Sequence, residues 1–294
     1  MAHKAGFVNI VGNPNVGKST LMNLLVGERI SIATFKAQTT RHRIMGILNT
    51  PEMQICFSDT PGVLKPNYRL QEQMLQFSEG ALQDADVLLY VTDMVETPDK
   101  NGDFLAKVQG VRVPLLVLIN KIDLSDQKSL TQKVEEWHQA FPTAEIFPIS
   151  ALHRFNVDNV LRRIQELLPE SPAYFDKDQW TDKPARFFVT EIIREKILLY
   201  YDKEIPYSVE VVVEQFKETG KIIHINAVIY VERDSQKGII IGRQGVALKK
   251  VSTEARRTLE KFFDKNIYLE VFVKVDKDWR SSERAMKAFG YKLD

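Results

Sequence analysis

The sequence predicts an α/β domain on a mostly parallel, doubly wound sheet, followed by a smaller α+β domain. Three observations carry this. Between residue 7 and about 168, short apolar runs alternate with stretches of helical periodicity, the pattern of strands joined through crossover helices. Three of the runs are apolar almost throughout, as strands covered on both faces must be. Past the proline-bearing stretch 167–186 the grammar changes to a long helix and longer, alternating strands.

In order, FVNIV (7–11), IMGIL (44–48), MQICFSD (53–59), VLLYVTD (87–93), PLLVLIN (114–120) and EIFPIS (145–150) read as strands. Helical patterns over 18–26, 70–83, 101–109, 129–140 and 156–168 separate them. The first domain is expected over 1–170, an interdomain linker over 171–184 because its prolines and scattered acids cannot continue a helix, and the second domain over 185–294. There, 186–201 is helical, and 207–216 and 221–233 alternate like antiparallel strands around a Glu-Thr-Gly turn. QKGIIIGRQG, a long helix (246–263), a strand (266–275) and a short helix near 281–289 complete an α-β-β-α-α-β order with a helical tail.

With 294 residues, 44% hydrophobic and 27% charged, the chain has the composition of a soluble protein of about two domains. No apolar run approaches the roughly 18 residues that span a bilayer, and the N-terminus moves straight into a strand, so a cytoplasmic protein is expected. The single cysteine, Cys56, excludes an intramolecular disulfide and reads as a buried small hydrophobe. His3, His42, His138, His153 and His224 are scattered and have no cysteine partners, which argues against a zinc site. Residues 1–184 carry a net charge of −3 and residues 185–294 one of +4. That asymmetry fits a polyanion partner for the second half, or simply a solvated surface.

Residues 12–20, GNPNVGKST, fit G-x-x-x-x-G-K-[ST], with a strand before and a helix after. Gly12 and Gly17 let backbone N–H groups curl around a phosphate, and the helix N-terminus adds its positive end. Lys18 supplies a point charge to the β- and γ-oxygens, and Ser19 a hydroxyl to Mg²⁺. DTPG (59–62) places Asp59 near the metal, and Gly62 offers its N–H to a γ-phosphate. NKID (120–123) suits guanine. A carboxylate at Asp123 accepts from both the ring N–H and the exocyclic amino group, a pair adenine lacks, while Asn120 sits beside it and the Lys121 stem can lie over the base. The backbone of Ser150, Ala151 and Leu152 can meet the guanine O6.

Order and spacing unite these signals: 41 residues from Lys18 to Asp59, 61 to Asn120 and 30 to Ser150. All four fall at carboxyl ends of strands, where open α/β sheets bind ligands. The nucleotide-binding set is therefore Gly12, Asn13, Asn15, Val16, Gly17, Lys18, Ser19, Thr20, Asp59, Gly62, Asn120, Lys121, Asp123, Ser150, Ala151 and Leu152. Lys18, Thr40 and Gly62 carry catalysis, and Ser19, Thr40 and Asp59 the metal. In FKAQTTRHRI (35–44), Thr39 and Thr40 are candidates to reach Mg²⁺ when a γ-phosphate is present, with Thr40 preferred; 63–73 would be a second switch. Val63 stands where Ras-like enzymes place a water-orienting Gln, so hydrolysis is expected to be slow or to rely on another group, an ion or a partner. Asn15 is a candidate ligand for a monovalent cation, K⁺.

In the second domain, IIIGRQGVALKK (239–250) holds G-x-x-G at Gly242 and Gly245 before a long helix. Residues 237–261 contain seven basic and two acidic side chains. A GxxG loop that clamps about four nucleotides of single-stranded RNA is the KH mode, and the element order matches its type II arrangement. Ile241, Gly242, Arg243, Gln244, Gly245, Lys249 and Lys250 form the expected RNA-binding set; the bland alternative is a basic α+β domain without a ligand. Ile239, Ile240 and Ile241 read mainly as core, with some able to line a groove.

On GNPNVGKST, KAQTTRHRI, DTPG, NKID, ISA, EIIREKI with EIPYSVEV, and IIIGRQG, the chain resembles the Era family, bacterial Ras-like GTPases with a C-terminal KH domain, over nearly its whole length. The resemblance implies a P-loop GTPase domain followed by a type II KH domain. It also implies a factor for small (30S) ribosomal subunit maturation that binds the 3′ end of 16S rRNA, not DNA, when GTP-bound and leaves after hydrolysis. Peripheral association with the inner membrane is implied by the family alone. Two other readings are a GTPase serving an RNA-modifying enzyme and an RNA-binding module with a vestigial nucleotide site. The first lacks a catalytic constellation in 185–294, and the intact Lys18, Ser19, Asp59, Asn120 and Asp123 argue against the second.

Overall fold

The structure is a computed structural model and describes residues 3–291. It divides into two compact units: residues up to Pro66 with Met74–Asp182, and Asn67–Gln73 with Lys183 onward.

The first unit holds strands β1 (Lys4–Gly12), β2 (Ile44–Asn49), β3 (Met53–Asp59), β4 (Val87–Asp93), β5 (Leu115–Asn120) and β6 (Glu145–Pro148). Helices α1 (Lys18–Val26), α2 (Arg69–Gly80, of which the first unit holds the part from Met74), α3 (Gly102–Gln109), α4 (Gln127–Ala140) and α5 (Val157–Leu167) alternate with them. The sheet order is β2-β3-β1-β4-β5-β6, parallel except for β2, which runs antiparallel to β3. β4 is buried along its whole length, as its unbroken apolar run requires. Register assembles the site. Ile10 pairs with Asp59, Gly12 with Val91 and Asp93 with Asn120, so the carboxyl ends of β1, β3, β4 and β5 finish at one level. Cys56 is fully buried in β3, and burial, with Asp86 nearby, pushes its thiol up to about 12.

The stretch read as the interdomain linker, 171–184, carries backbone contacts of its own. Residues 174–182 run along the first unit and satisfy the open edge at β2, because an edge strand leaves backbone donors and acceptors unpaired. Ile47 N donates to Trp180 O at 2.9 Å, Thr181 Oγ1 to Met45 O at 2.7 Å, and Met45 N to Asp182 Oδ1 at 3.0 Å. Gln54 anchors the start of this strap, its Oε1 accepting from Tyr174 N and Phe175 N and its Nε2 donating to Phe175 O.

The second unit holds α6 (Ala185–Tyr200), β7 (Glu210–Thr219), β8 (Ile222–Val231), α7 (Asp234–Ile241), α8 (Val246–Phe263), β9 (Asn266–Val275) and α9 (Glu283–Ala288). β7 and β8 form an antiparallel hairpin that turns at Gly220, with φ of 57°, and β9 adds parallel to β8. β7 starts at 210 rather than 207 because residues 205–207 form a short 3-10 turn around Pro206, which has no N–H for a ladder. Val251, Ala255 and Leu259 of α8 pack with Ile225, Ala227 and Ile229 of β8 in one core. Trp279 and Met286 of the tail are fully buried, and Tyr291 donates its hydroxyl to Glu210. No helix of the described residues is long and apolar enough to cross a membrane.

Candidate functional site

The loop between β1 and α1 forms the floor of a cleft of about 280 Å³, lined by Pro14, Asn15, Gly17, Lys18, Ser19 and Thr20, by residues of the 32–40 loop, and by Gly62 and Lys121. Both loop glycines are obligatory. Gly12 has φ of 145° and a Cβ there would lie 2.1 Å from Val91 O; Gly17 has φ of 99° and its Cβ would lie 2.3 Å from Asn120 Nδ2. Gly62 packs on the loop as closely, with 2.6 Å from a hypothetical Cβ to Pro14 Cα. Lys18 is buried and donates to the carbonyl oxygens of Gly12 (3.1 Å) and Asn13 (2.8 Å). Burial lowers its pKa to about 8, with Asp59 and Glu96 opposing the shift. An ammonium held by two carbonyls at the floor of the cleft has the chemistry to meet a phosphate.

Ser19, Thr40 and Asp59 converge. Ser19 Oγ lies 2.6 Å from Asp59 Oδ2 and 2.9 Å from Thr40 Oγ1, which itself lies 3.3 Å from that carboxylate oxygen. Thr39 is bonded to Thr34 Oγ1 and Lys36 O, so of the two threonines it is Thr40 that lies beside Ser19 and Asp59. Asp59 Oδ1 is buried with no hydrogen-bond partner. Burial pushes the Asp59 carboxyl up, against the pull of Lys18, Ser19, Ser31 and Thr40. An orphaned carboxylate oxygen beside two hydroxyls is a hard, all-oxygen donor set that fits Mg²⁺.

The base end is held by Asn120, which is 3% exposed. Its Nδ2 donates to Val16 O at 2.8 Å, and its Oδ1 accepts from Ala151 N at 2.9 Å. It therefore ties the phosphate loop to the loop after β6. Asp123 accepts from Ser150 Oγ at 2.5 Å, which orients the carboxylate. Lys121, at φ of 61°, lines the cleft and sends its ammonium to Asp93 Oδ2 at 2.8 Å. Ser150 and Ala151 are buried while Leu152 is exposed. Asn15 is exposed at φ of 64°, and Val16 is fully buried, its carbonyl oxygen accepting from Asn120.

Asn13 does not aim its side chain into the cleft. Its Nδ2 donates to Glu96 Oε2 at 2.5 Å and its Oδ1 accepts from Asn101 Nδ2 at 2.6 Å, so only its backbone serves the loop. Glu96, Asn101 and Asp93 are missed by sequence reasoning. Asp93 carries a usable signal, an acid closing a buried strand; Glu96 and Asn101 lie in an irregular stretch with none. Val63 is buried in the apolar core, and its N donates to Gly12 O at 3.1 Å, so it presents nothing to a water.

In the second unit, Gly242 (φ 71°), Gln244 (φ 53°) and Gly245 (φ 76°) make a left-handed loop between α7 and α8. A Cβ at Gly242 would lie 2.6 Å from the Cβ of Ala247; at Gly245 there is open space, and only φ demands glycine. Arg243, Gln244, Lys249 and Lys250 are exposed. Of the isoleucines, Ile240 is core, Ile239 is half exposed, and Ile241 packs partly against the core.

Residues 7–121 match the family described as 50S ribosome-binding GTPase, and residues 204–280 match the KH domain family. The chain is 44% identical over 289 residues to GTPase Era of Geotalea daltonii, covering 98% of this chain and 97% of that one. It is 43% identical over 291 residues to GTPase Era of Clostridium kluyveri, with 98% and 99% covered. Among solved structures it resembles a single-substitution variant of Aquifex aeolicus Era bound to GDP·AlF4⁻, with a TM-score of 0.94 and 38% identity, covering 99% of this chain and all of the other. An Era structure in complex with MgGDPNP and nucleotides 1506–1542 of 16S ribosomal RNA matches equally, with a TM-score of 0.94 and 38% identity over the same shares.

Proposed function

The chain belongs to the Era family of GTPases, and from that premise we propose that it is a GTP-timed RNA-binding factor in the cytoplasm. It meets the 3′ end of 16S rRNA through its KH domain and promotes maturation of the 30S subunit. The observation that supports the nucleotide half is the staple made by Asn120, which ties the 12–20 loop at Val16 to the loop after β6 at Ala151, with Ser150 bonded to Asp123 beside it. The RNA half is supported by the Gly242–Gly245 loop with its exposed basic neighbours and by the related Era captured with an rRNA fragment.

In this reading Ser19, Thr40 and Asp59 hold Mg²⁺, which when bound neutralises charge on the β- and γ-phosphates. Lys18 balances the remaining charge, and the N–H of Gly62 meets the γ-phosphate. With Val63 buried, the chain offers no side chain there to orient water, so turnover is slow without help. Asn15, exposed at the cleft, is placed to add a ligand for K⁺; turnover should be faster in K⁺ than in Na⁺, and equal rates would remove this role. Thr40 ties the 35–44 loop to the γ-phosphate state, and RNA and GTP binding are reciprocally coupled. Peripheral membrane contact rests on family resemblance alone.

Base identity is tested with Asp123→Asn. A carboxylate accepts from guanine's N1–H and amino group, whereas an amide can donate to the xanthine oxygen. The variant should lose GTP by at least about tenfold, the effect of roughly 1.4 kcal/mol, and gain xanthosine triphosphate. Unchanged GTP affinity would remove Asp123 from the base site.

A further inference from the structure

α6 ends at Tyr200, and the next side chain fixes where that end lies. The Tyr201 hydroxyl donates to Ile240 O at 2.6 Å, two residues before Gly242. The end of α6 is thus pinned against the root of the GxxG loop. On its outer side Leu199 and Tyr200 are 43% and 39% exposed, an apolar and aromatic pair on a helix whose other large residues are mostly buried. The Lys250 ammonium lies 4.2 Å from the centre of the Tyr200 ring. Lys250 is five residues past Gly245, about 7.5 Å along α8 at roughly 1.5 Å per residue. An accessible ring, an apolar neighbour and a lysine therefore border the loop on one side.

We propose that Tyr200, with Leu199 beside it, extends the RNA-binding surface beyond the loop and its flanking lysines. Tyr200 stacks the base of a nucleotide just outside those clamped at Gly242–Gly245, and Lys250 holds an adjoining phosphate. This rests on reading the second unit as an RNA-binding KH domain. The chemistry favours a nucleic acid: aromatic faces stack any base, and a lysine beside the ring supplies the countercharge for the backbone. The exposed basic side chains Arg243, Lys249 and Lys250 make the same edge complementary to a polyanion.

The test uses the full chain with Mg²⁺ and a non-hydrolysable GTP analogue. Oligonucleotides from the 3′ end of 16S rRNA are lengthened in each direction from about four to about eight nucleotides. Tyr200→Ala should weaken the longer RNA about five- to 150-fold, the range of a lost base–aromatic stack, and leave the shortest unchanged. Tyr200→Phe should bind both as the parent does. An abasic nucleotide at the stacked position should weaken the parent and have no effect on Tyr200→Ala.

Two results overturn the proposal. Equal loss at both lengths means that the end of α6 only shapes the loop. No loss at either length leaves the patch to a protein partner. Gly242→Asp is measured beside these: if it does not abolish binding of the shortest RNA, the KH reading itself fails, independently of Tyr200.

Discussion

Removing the Asn120 side chain should unfasten two loops at once. Asn120→Ala deletes the bond to Val16 O (2.8 Å) and the bond to Ala151 N (2.9 Å), both buried. Each abandoned backbone group costs about 1–3 kcal/mol when left unpaired. The sum is about 2–6 kcal/mol, and the cavity at a 3% exposed site does nothing to reduce it. At about 2–4 °C per kcal/mol for a unit of this size, the first unfolding transition should fall by at least about 4 °C. Asn120→Asp separates geometry from polarity. It keeps the acceptor for Ala151 N but turns a carboxylate oxygen toward Val16 O, so it should be no better than alanine. The assay is thermal unfolding followed by circular dichroism. GDP affinity is measured in parallel and is expected to fall at least about tenfold, the effect of roughly 1.4 kcal/mol. If Asn120→Ala melts within about 1 °C of the parent, less than the shift expected from a single kcal/mol, the staple is not what holds these loops together.

Further outcomes follow from the same geometry. Lys18 is depressed from 10.5 to about 8 in the free protein by burial. A bound phosphate favours the ammonium, so binding takes up a proton above that pH. GDP affinity in metal-free buffer should fall by up to about tenfold per pH unit above about 8, and a flat profile would place the Lys18 proton elsewhere. Folding stability moves the opposite way: the unfolded chain keeps the lysine proton up to 10.5, so the penalty of burying it is full below about 8 and is relieved as pH rises between those values. Gly242→Asp and Gly245→Asp should abolish RNA binding and leave GTP binding intact. The first meets Ala247 at 2.6 Å and the second only a positive φ, so the first should also lower the melting temperature more. Filter binding and calorimetry separate the two effects.

The sequence by itself determined what is local. The spacing of GNPNVGKST, the acid closing MQICFSD and the NKID stretch mark strand ends and turns, because backbone conformation and periodicity are written within a few residues. Helices 18–26 and 246–263 and strands 53–59, 87–93 and 266–275 were legible to the residue for the same reason. What tertiary structure decided is which groups meet across long stretches of chain. Thr40 rather than Thr39 reaches Ser19 and Asp59 because the 32–40 loop folds one hydroxyl inward and commits the other to Thr34 and Lys36. The Asn13 side chain serves Glu96 and Asn101 while its backbone stays with the loop, and residues 180–182 pair with the edge at β2. Tyr201 found Ile240 across 39 positions. Such pairings are set by sheet register and by buried polar groups that must find partners. Neither leaves a period or a spacing in the sequence, so only the folded chain could disclose them.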